Sequence, residues 1–287
     1  MRIALVSDST CDMSDSERLR HSPVIVPLHV VLGGASYLDG VDLKPDAFYR
    51  LFAEAVALPT SSQPNTAEFE KVYAGLLETY DSVVSIHVSG RLSGTVRSAA
   101  AAAQAVGRGR IRVVDSRHVS VGLGLVVGAA GDAILDGASL EGVVTAAERA
   151  AGNTRVYGTL PSLDVAARGG RVSARLARFA GLIELKPIIV FDEEGAAHAD
   201  GGRLGFSRAI RGVAQRVAGF AASNPAKVAI VHADGIRAAQ YLQQLLRSGL
   251  GELDIPIVEA GAVITTHVGL GAIAVGVRRL EVKGPVD

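Results

Sequence analysis

Short runs of β-branched and other apolar residues alternate along the chain with longer Ala- and Leu-rich stretches in which apolar positions recur at helical spacing. Parallel strands joined by crossover helices produce this alternation, so the pattern predicts an α/β fold. The first half is typical of a doubly wound, mostly parallel sheet, whose ligand sites form beyond the carboxyl ends of the strands. The predicted strands of this half are 3–7, 24–32, 82–88 and 111–115, and its predicted helices are 45–57, 66–79, 94–106, 121–136 and 139–151.

A second set of strands begins after Gly152-Asn153, where small and polar residues separate a helix from a new strand. The 287 residues suffice for two domains of ordinary size. We therefore expect an N-terminal α/β domain at 1–152 and a C-terminal α/β domain with a mixed sheet at 153–287. The predicted strands of the second half are 156–160, 186–191, 228–232, 257–260 and 272–277, and its predicted helices are 163–167, 173–179, 207–223 and 236–248.

Composition narrows the class of protein. The 29 Lys and Arg residues balance 29 Asp and Glu residues, so no basic groove for nucleic acid is expected. The longest apolar stretch, 119–130, contains three glycines and is shorter than the ~20 residues that span a bilayer. The single cysteine excludes an internal disulfide framework. These features predict a cytoplasmic protein without an integral membrane segment.

A loop rich in glycine and hydroxyl groups, residues 89–95, joins a predicted strand to an Ala-rich helix. Ser93 stands where an N-cap is expected, and Gly94 and Thr95 would offer backbone N–H groups in the first turn. Such a helix start binds carboxylate or phosphate. A simple Ser cap would explain Ser93 almost as well, but it leaves the glycines unexplained.

Two other polar segments are weaker candidates for an anion site. Residues 59–64 place Thr60, Ser61 and Ser62 between two prolines, which restrict the backbone and partly fix the hydroxyl directions. Residues 7–10, Ser-Asp-Ser-Thr, follow the first predicted strand. Each segment is also consistent with an ordinary turn or helix cap.

His267 precedes two glycines and an apolar strand near the C-terminus. A histidine there can donate to a carboxylate or carry a proton, although a lone His is more often structural. The other six histidines are scattered without metal-ligand spacing, so we predict no metal and no cofactor. Walker A, GxSxG and GxGxxG motifs are absent, which disfavours common nucleotide and hydrolase chemistry.

Four arginines at helical spacing, Arg168, Arg171, Arg175 and Arg178, make the middle of the second half locally basic. A stripe of this kind is usually a solvated helix face. It would also serve as a docking surface for an acidic or phosphate-carrying partner.

Seven motifs, taken together and in order, resemble the DegV family from end to end. They are Val6-Ser7-Asp8-Ser9-Thr10, Val26-Pro27-Leu28, Ser61-Ser62-Gln63-Pro64, Leu92-Ser93-Gly94-Thr95, Val114-Asp115-Ser116, Arg168-Gly169-Gly170-Arg171 and His267-Val268-Gly269-Leu270-Gly271. The resemblance implies two α/β domains with a lipid pocket between or near them. It also implies a non-enzymatic subunit that binds a long-chain fatty acid and presents it to a separate ATP-binding fatty acid kinase subunit, which makes an acyl phosphate for phospholipid synthesis.

Position by position, the resemblance places the carboxylate contacts at Ser61, Ser93, the Gly94 amide and His267. Ser61 departs from the family, which usually has Thr at this position. Thr60 is therefore a possible substitute, and Ser62, Thr95 and Arg171 are further possible contacts.

Two other functions stay open. In one, His267 is the catalytic or phospho-accepting residue of a small-molecule kinase or phosphotransferase. In the other, the arginine stripe binds macromolecules and the protein is regulatory. The fatty-acid hypothesis agrees best with the physics of the ligand, because each buried methylene contributes about 0.8 kcal/mol and a few hydroxyl donors suffice to orient the carboxylate.

Overall fold

The computed structural model describes residues 1–168, 185–222, 224–251 and 253–280. Within these ranges no helix has both the length and the apolar character needed to cross a membrane. The strands are β1 Ile3–Asp8, β2 Val24–Val26, β3 His29–Leu32, β4 Ala35–Leu38, β5 Thr60–Ser62, β6 Ser82–His87, β7 Ile111–Asp115, β8 Thr154–Thr159, β9 Leu185–Phe191, β10 Ala197–Leu204, β11 Ala226–His232, β12 Ile257–Glu259 and β13 Ile273–Arg279. The helices are α1 Asp15–His21, α2 Pro45–Glu54, α3 Thr66–Leu76, α4 Thr95–Val106, α5 Val121–Leu135, α6 Leu140–Gly152, α7 Asp164–Arg168, α8 Phe206–Ala221, α9 Ile236–Leu250 and α10 Ala262–Val268.

The first half forms a four-stranded parallel sheet in the order β2-β1-β6-β7. Every residue of β1 and β6 is buried, because helices cover both faces of the sheet. The three longer strands begin and end within one residue of their predicted limits. The α/β prediction is confirmed, and the carboxyl ends of β1, β6 and β7 lie together at one edge.

The second half forms a six-stranded mixed sheet in the order β10-β9-β8-β13-β11-β12. Strands β11 and β12 are parallel, whereas the other neighbours in this sheet pair antiparallel. The predicted mixed sheet is therefore confirmed. All strands of the four-stranded sheet precede the 152/153 boundary, and all strands of the six-stranded sheet follow it. The division into two domains at that point stays our proposal.

A small antiparallel sheet, β4-β3-β5, belongs to the first half of the sequence but packs against the second half. Val30 of β3 and Phe48 of α2 share one buried apolar cluster with Leu160 and Val263. The Tyr49 hydroxyl also donates to the Ala260 carbonyl oxygen at 2.7 Å. The two halves are thus joined by a continuous core.

Helix α5 is the second connection between the halves, and its glycines permit close packing on both sides. A Cβ at Gly124 would lie 2.6 Å from the Asp12 carbonyl oxygen in the first half. A Cβ at Gly122 would overlap a methyl group of Val156 on β8. The glycines that interrupt the apolar stretch 119–130 are therefore contact points of a buried helix, which explains their spacing.

Some predicted elements were wrong. The strand predicted at 24–32 is two strands, because Pro27 lacks an N–H for a ladder and β2 and β3 join different sheets. Strands β4, β5 and β10 and helices α1 and α10 were not predicted. The predicted helix 173–179 lies outside the described residues.

Candidate functional site

A cavity of about 510 Å³ lies beyond the carboxyl ends of β1, β6 and β7, between the two halves of the chain. Most of its exposed surface is apolar, and its polar side chains, which include Arg91 and Arg97, come from β5, α4, α10 and the loops that follow β1, β5 and β6. A second cavity of about 80 Å³ is almost entirely apolar and shares six lining residues with the first. They are Val119, Leu160, Ile189, Phe191, Ile264 and Val268. The smaller cavity is therefore an inward extension of the larger one.

Ser61 and His267 meet at the larger cavity although they are distant in sequence. The Ser61 Oγ and the His267 Nε2 are 2.7 Å apart and hydrogen-bonded. The register of the small sheet sets this contact, because Ser61 pairs with the fully buried Val30 and directly paired residues point to the same face. His267 reaches the same place from the last turn of α10.

Thr60 points the other way. It pairs with Val31, a residue that is 38% exposed, and Thr60 is itself exposed. Alternation along a strand therefore separates the Thr60 hydroxyl from the Ser61–His267 pair. Ser62 is exposed too, although it still lines the cavity.

Ser93 and Gly94 line the cavity, but the N-cap of α4 is Gly94 rather than Ser93. The N-cap prediction for Ser93 was wrong because the backbone makes a tight turn first: the N–H groups of Leu92 and Ser93 both donate to the Ser89 carbonyl oxygen. The helix consequently starts one residue later. Ser93 Oγ instead lies 2.8 Å from the hydroxyl of the fully buried Thr95 and accepts from the Thr95 N–H at 3.3 Å.

Gln63 joins the loop at 59–64 to the loop at 89–95, a role that sequence reasoning missed. Its side-chain amide lies so close to Gly94 that a Cβ there would be 2.6 Å from the Gln63 Nε2. Gln63 Nε2 donates to the Ser98 Oγ at 3.0 Å, which fixes the amide on α4. The position of Gln63 between Ser62 and Pro64 was the available signal, since it lies within a polar loop restricted by prolines.

Thr10 is a further buried cavity residue that was singled out only as part of a polar turn. Its hydroxyl donates to the Asp8 Oδ1 at 2.6 Å, and Asp8 also accepts from the Val88 N–H at 2.9 Å. The other Asp8 oxygen lies 3.0 Å from the His87 Nδ1, and the His87 Nε2 lies 2.7 Å from the Ser85 Oγ. Ser85 and His87 are fully buried in the first sheet, so this Asp-His-Ser arrangement cannot meet a substrate and supports the cavity wall instead.

Two carboxylates of the first half hold the start of α10. The Gly261 N–H donates to the Asp12 Oδ1 at 3.3 Å, and the Ala262 N–H donates to the Asp39 Oδ1 at 2.9 Å. Burial raises the pKa of Asp12 to about 7 and the pKa of Asp39 to about 6. The helix that carries His267 is therefore attached to the first half at the end opposite His267.

Arg171, a possible contact, lies outside the described residues, as do Arg175 and Arg178. Arg168 is exposed at the end of α7, while Ala166 of the same helix lines the cavity. Among the described residues, no group of three or more His, Cys, Asp or Glu side chains is arranged to hold a metal ion. The cavity thus combines an apolar interior with hydroxyl, amide, imidazole and guanidinium groups.

The comparisons with known proteins agree over nearly the whole chain. A model described as "Uncharacterised protein, DegV family" matches residues 2–280. A DegV domain-containing protein of Deinococcus radiodurans is 36% identical over 98% of this chain and 100% of its own length. A DegV family protein from Thermus thermophilus, whose structure concerns fatty acid binding, is 35% identical with a TM-score of 0.90, over 98% of this chain and 100% of that one.

A second solved structure, DegV of Bacillus subtilis, is described as a fatty acid binding protein. It is 30% identical to this chain with a TM-score of 0.85, over 98% of this chain and 100% of that one. This chain therefore belongs to the DegV family.

Proposed function

We propose that this protein binds one long-chain fatty acid in the cavity and presents its carboxylate to a separate ATP-dependent kinase subunit in the cytoplasm. The observation that carries the proposal is the combination of a largely apolar cavity with a cluster of hydroxyl, amide and imidazole groups at one place, where Arg91 and Arg97 also line the wall. Apolar burial of the acyl chain would supply most of the affinity, at about 0.8 kcal/mol for each methylene. The fatty acid binding described for similar DegV structures supports the same ligand.

In this proposal Ser61, Ser93, the Gly94 amide and His267 bind the carboxylate. With a proton on Nε2, His267 donates to Ser61 and leaves the Ser61 hydroxyl proton for a carboxylate oxygen. Ser93 and the Gly94 N–H would contact the other oxygen from the start of α4. These donors would orient the headgroup at the cavity wall, where a carboxylate oxygen stays available to react.

The reaction itself would belong to the partner. A carboxylate oxygen would attack the γ-phosphorus of ATP held by the kinase subunit, forming an acyl phosphate as ADP leaves. This chain would contribute the substrate in a fixed orientation and no catalytic group. Acyl phosphate made in this way would feed phospholipid synthesis.

Mass spectrometry of the native ligand tests the binding step. The protein, purified without added lipid and then denatured, is expected to release a long-chain fatty acid in a ratio near one per chain. A washed and delipidated sample should regain one equivalent of oleate or palmitate in calorimetry. Extracts without any acyl chain, together with no uptake of added fatty acid, would contradict the proposal.

A phosphate-transfer assay tests the division of labour. Labelled ATP with the loaded protein alone is expected to give no acyl phosphate, and addition of an ATP-binding fatty acid kinase subunit is expected to give it. If the protein alone takes up phosphate, and His267→Ala abolishes the uptake, the phosphotransferase hypothesis replaces this one.

A further inference from the structure

Ser89 is a buried residue that hydrogen-bonds both to the loop at 89–95, here called the headgroup loop, and to a distant part of the chain. Its carbonyl oxygen accepts from the N–H groups of Leu92 and Ser93, at 3.0 and 3.1 Å. Its hydroxyl accepts from the Arg91 N–H at 3.2 Å and donates to the Gly195 carbonyl oxygen at 2.8 Å. One fully buried residue therefore shapes the loop that carries Ser93, mainly through its carbonyl oxygen, and binds the turn of the β9–β10 hairpin through its hydroxyl.

The hairpin turn fits Ser89 closely because residue 195 is glycine. Gly195 has a φ of +84°, a conformation that L residues rarely adopt. A Cβ there would overlap the Ser89 hydroxyl and lie 2.7 Å from the Arg117 carbonyl oxygen. Asp192 stiffens the same turn by accepting from the Glu194 and Ala196 N–H groups, at 3.0 and 2.9 Å.

The strands next to this turn form part of the cavity wall. Ile189 and Phe191 of β9 line both the larger cavity and its inward extension, and Ala197 of β10 lines the larger one. An acyl chain that runs from the Ser61–Ser93 region into the extension must pass Ile189 and Phe191. The Ser89–Gly195 contact thus lies between the headgroup loop and the wall for the tail.

We propose that Ser89 and Gly195 are a positioning pair that selects long acyl chains, by docking the β9–β10 hairpin so that Ile189 and Phe191 close around the distal part of the tail. This inference rests on the proposed function and adds a specificity determinant to it. Neither residue lines the part of the wall that the tail passes; they act through the hairpin and through the headgroup loop. A short acid, which does not fill the inward extension, gains less from the docking than a long one.

The sharpest test compares two glycines of the same hairpin. Gly195→Ala forces the turn away from Ser89, whereas Gly201→Ala places a Cβ at an equally left-handed φ of +77° with only an Arg216 side-chain nitrogen, 3.7 Å away, within 4 Å. Dissociation constants for stearate and decanoate are measured for each variant by calorimetry on the folded fraction. Gly195→Ala should weaken stearate binding about tenfold, the equivalent of roughly two buried methylenes, and change decanoate binding less than about twofold.

Ser89→Ala removes the other partner of the same contact. It replaces Gly195→Ala as the test if that variant does not fold. It should weaken the binding of both acids, because the Arg91 N–H also loses its acceptor. The binding of stearate should weaken more than the binding of decanoate. Asp46→Asn is the control, because it removes only the charge of an exposed ion pair with Arg50, and neither residue lines either cavity. Exposed pairs contribute little, so both affinities should stay within about twofold of the wild type.

The ratio of stearate to decanoate affinity decides the outcome, because a general loss of stability moves both affinities together. The proposal is overturned if Gly195→Ala and Ser89→Ala keep the wild-type ratio, or if Gly201→Ala lowers the ratio as much as Gly195→Ala. Wild-type protein that binds neither acid would instead contradict the proposed function itself.

Discussion

Hydroxyl groups that are adjacent in sequence lie in opposite environments at β5. Ser61 touches His267 inside the cavity, while Thr60 lies on the exposed face beside Val31. The sequence alone did not decide which of the two hydroxyl groups contacts the carboxylate. Alignment without gaps places Ser61 where the family usually has Thr, and Thr60 is one residue earlier. Pairing with β3 provides the missing information, and it favours Ser61 as the carboxylate contact.

Ser61→Ala and Thr60→Ala are therefore a matched pair of variants. Ser61→Ala should weaken fatty acid binding about tenfold to a hundredfold, as expected for a lost hydrogen bond to a charged group. Thr60→Ala should leave the affinity unchanged, and both variants should stay folded because each removes one small side-chain group. Calorimetry with palmitate measures the difference; a larger loss in Thr60→Ala would move the contact to Thr60.

Gly94 has a steric requirement that the sequence did not reveal. The side chain of Gln63 lies directly against Gly94 and occupies the space that a Cβ would need. Gly94→Ala should therefore push the two loops apart and weaken palmitate binding at least about tenfold by distorting the proposed carboxylate site. Gly75→Ala in α3 is the control, since no atom lies within 4 Å of the added Cβ there. Equal affinities for the two variants would show that the contact with Gln63 is unimportant.

Strands that are buried and apolar were predicted more accurately than strands that are exposed or polar. Strands β1 and β6 were predicted well because buried parallel strands are rich in apolar residues, and the partly buried edge strand β7 was predicted from Ile111, Val113 and Val114. The missed strand β5 is three hydroxyl residues, and β10 is mostly polar or glycine; tertiary pairing, rather than an apolar pattern, makes them strands. Helix α10 was missed because its β-branched residues indicate a strand in isolation.

The attachment of α10 to Asp12 gives a pH dependence with a defined sign. The pKa of Asp12 is raised from 3.8 to about 7 by burial, so between these values the folded protein keeps a proton that the unfolded chain has lost. The Asp12 contribution to the free energy of unfolding therefore falls as the pH rises from about 4 to about 7, by at most about 1.4 kcal/mol per pH unit. Asp12→Asn keeps an oxygen acceptor for Gly261 and removes this titration.

Urea unfolding of wild type and Asp12→Asn over this pH range measures the effect. The variant should become more stable relative to the wild type as the pH rises. Asp46→Asn, which changes an exposed residue of α2, should follow the wild-type curve. Parallel curves for wild type and Asp12→Asn would mean that Asp12 does not titrate in this range.

For the whole molecule, the cavity depends on both halves of the chain at once. The first half supplies Ser61, Ser93 and Gly94, and the second half supplies His267 and the hairpin wall. The apolar cluster that contains Phe48 also includes residues of both halves. A division into two domains at 152/153 is consistent with the two large sheets, but this shared core predicts that the halves unfold together.

Phe48→Ala tests this coupling, because Phe48 is fully buried in the cluster shared by the two halves. The substitution should lower the free energy of unfolding by about 3–5 kcal/mol. Far-ultraviolet circular dichroism and tyrosine fluorescence should still give coincident urea transitions, since residues of both halves lose the same core. The fragment 1–152 should fail to unfold cooperatively, because Val30, Phe48 and Tyr49 would face solvent. A cooperative transition in that fragment, or two separate transitions in the whole chain, would mean that the halves are stable independently and that the cavity forms by docking of two preformed units.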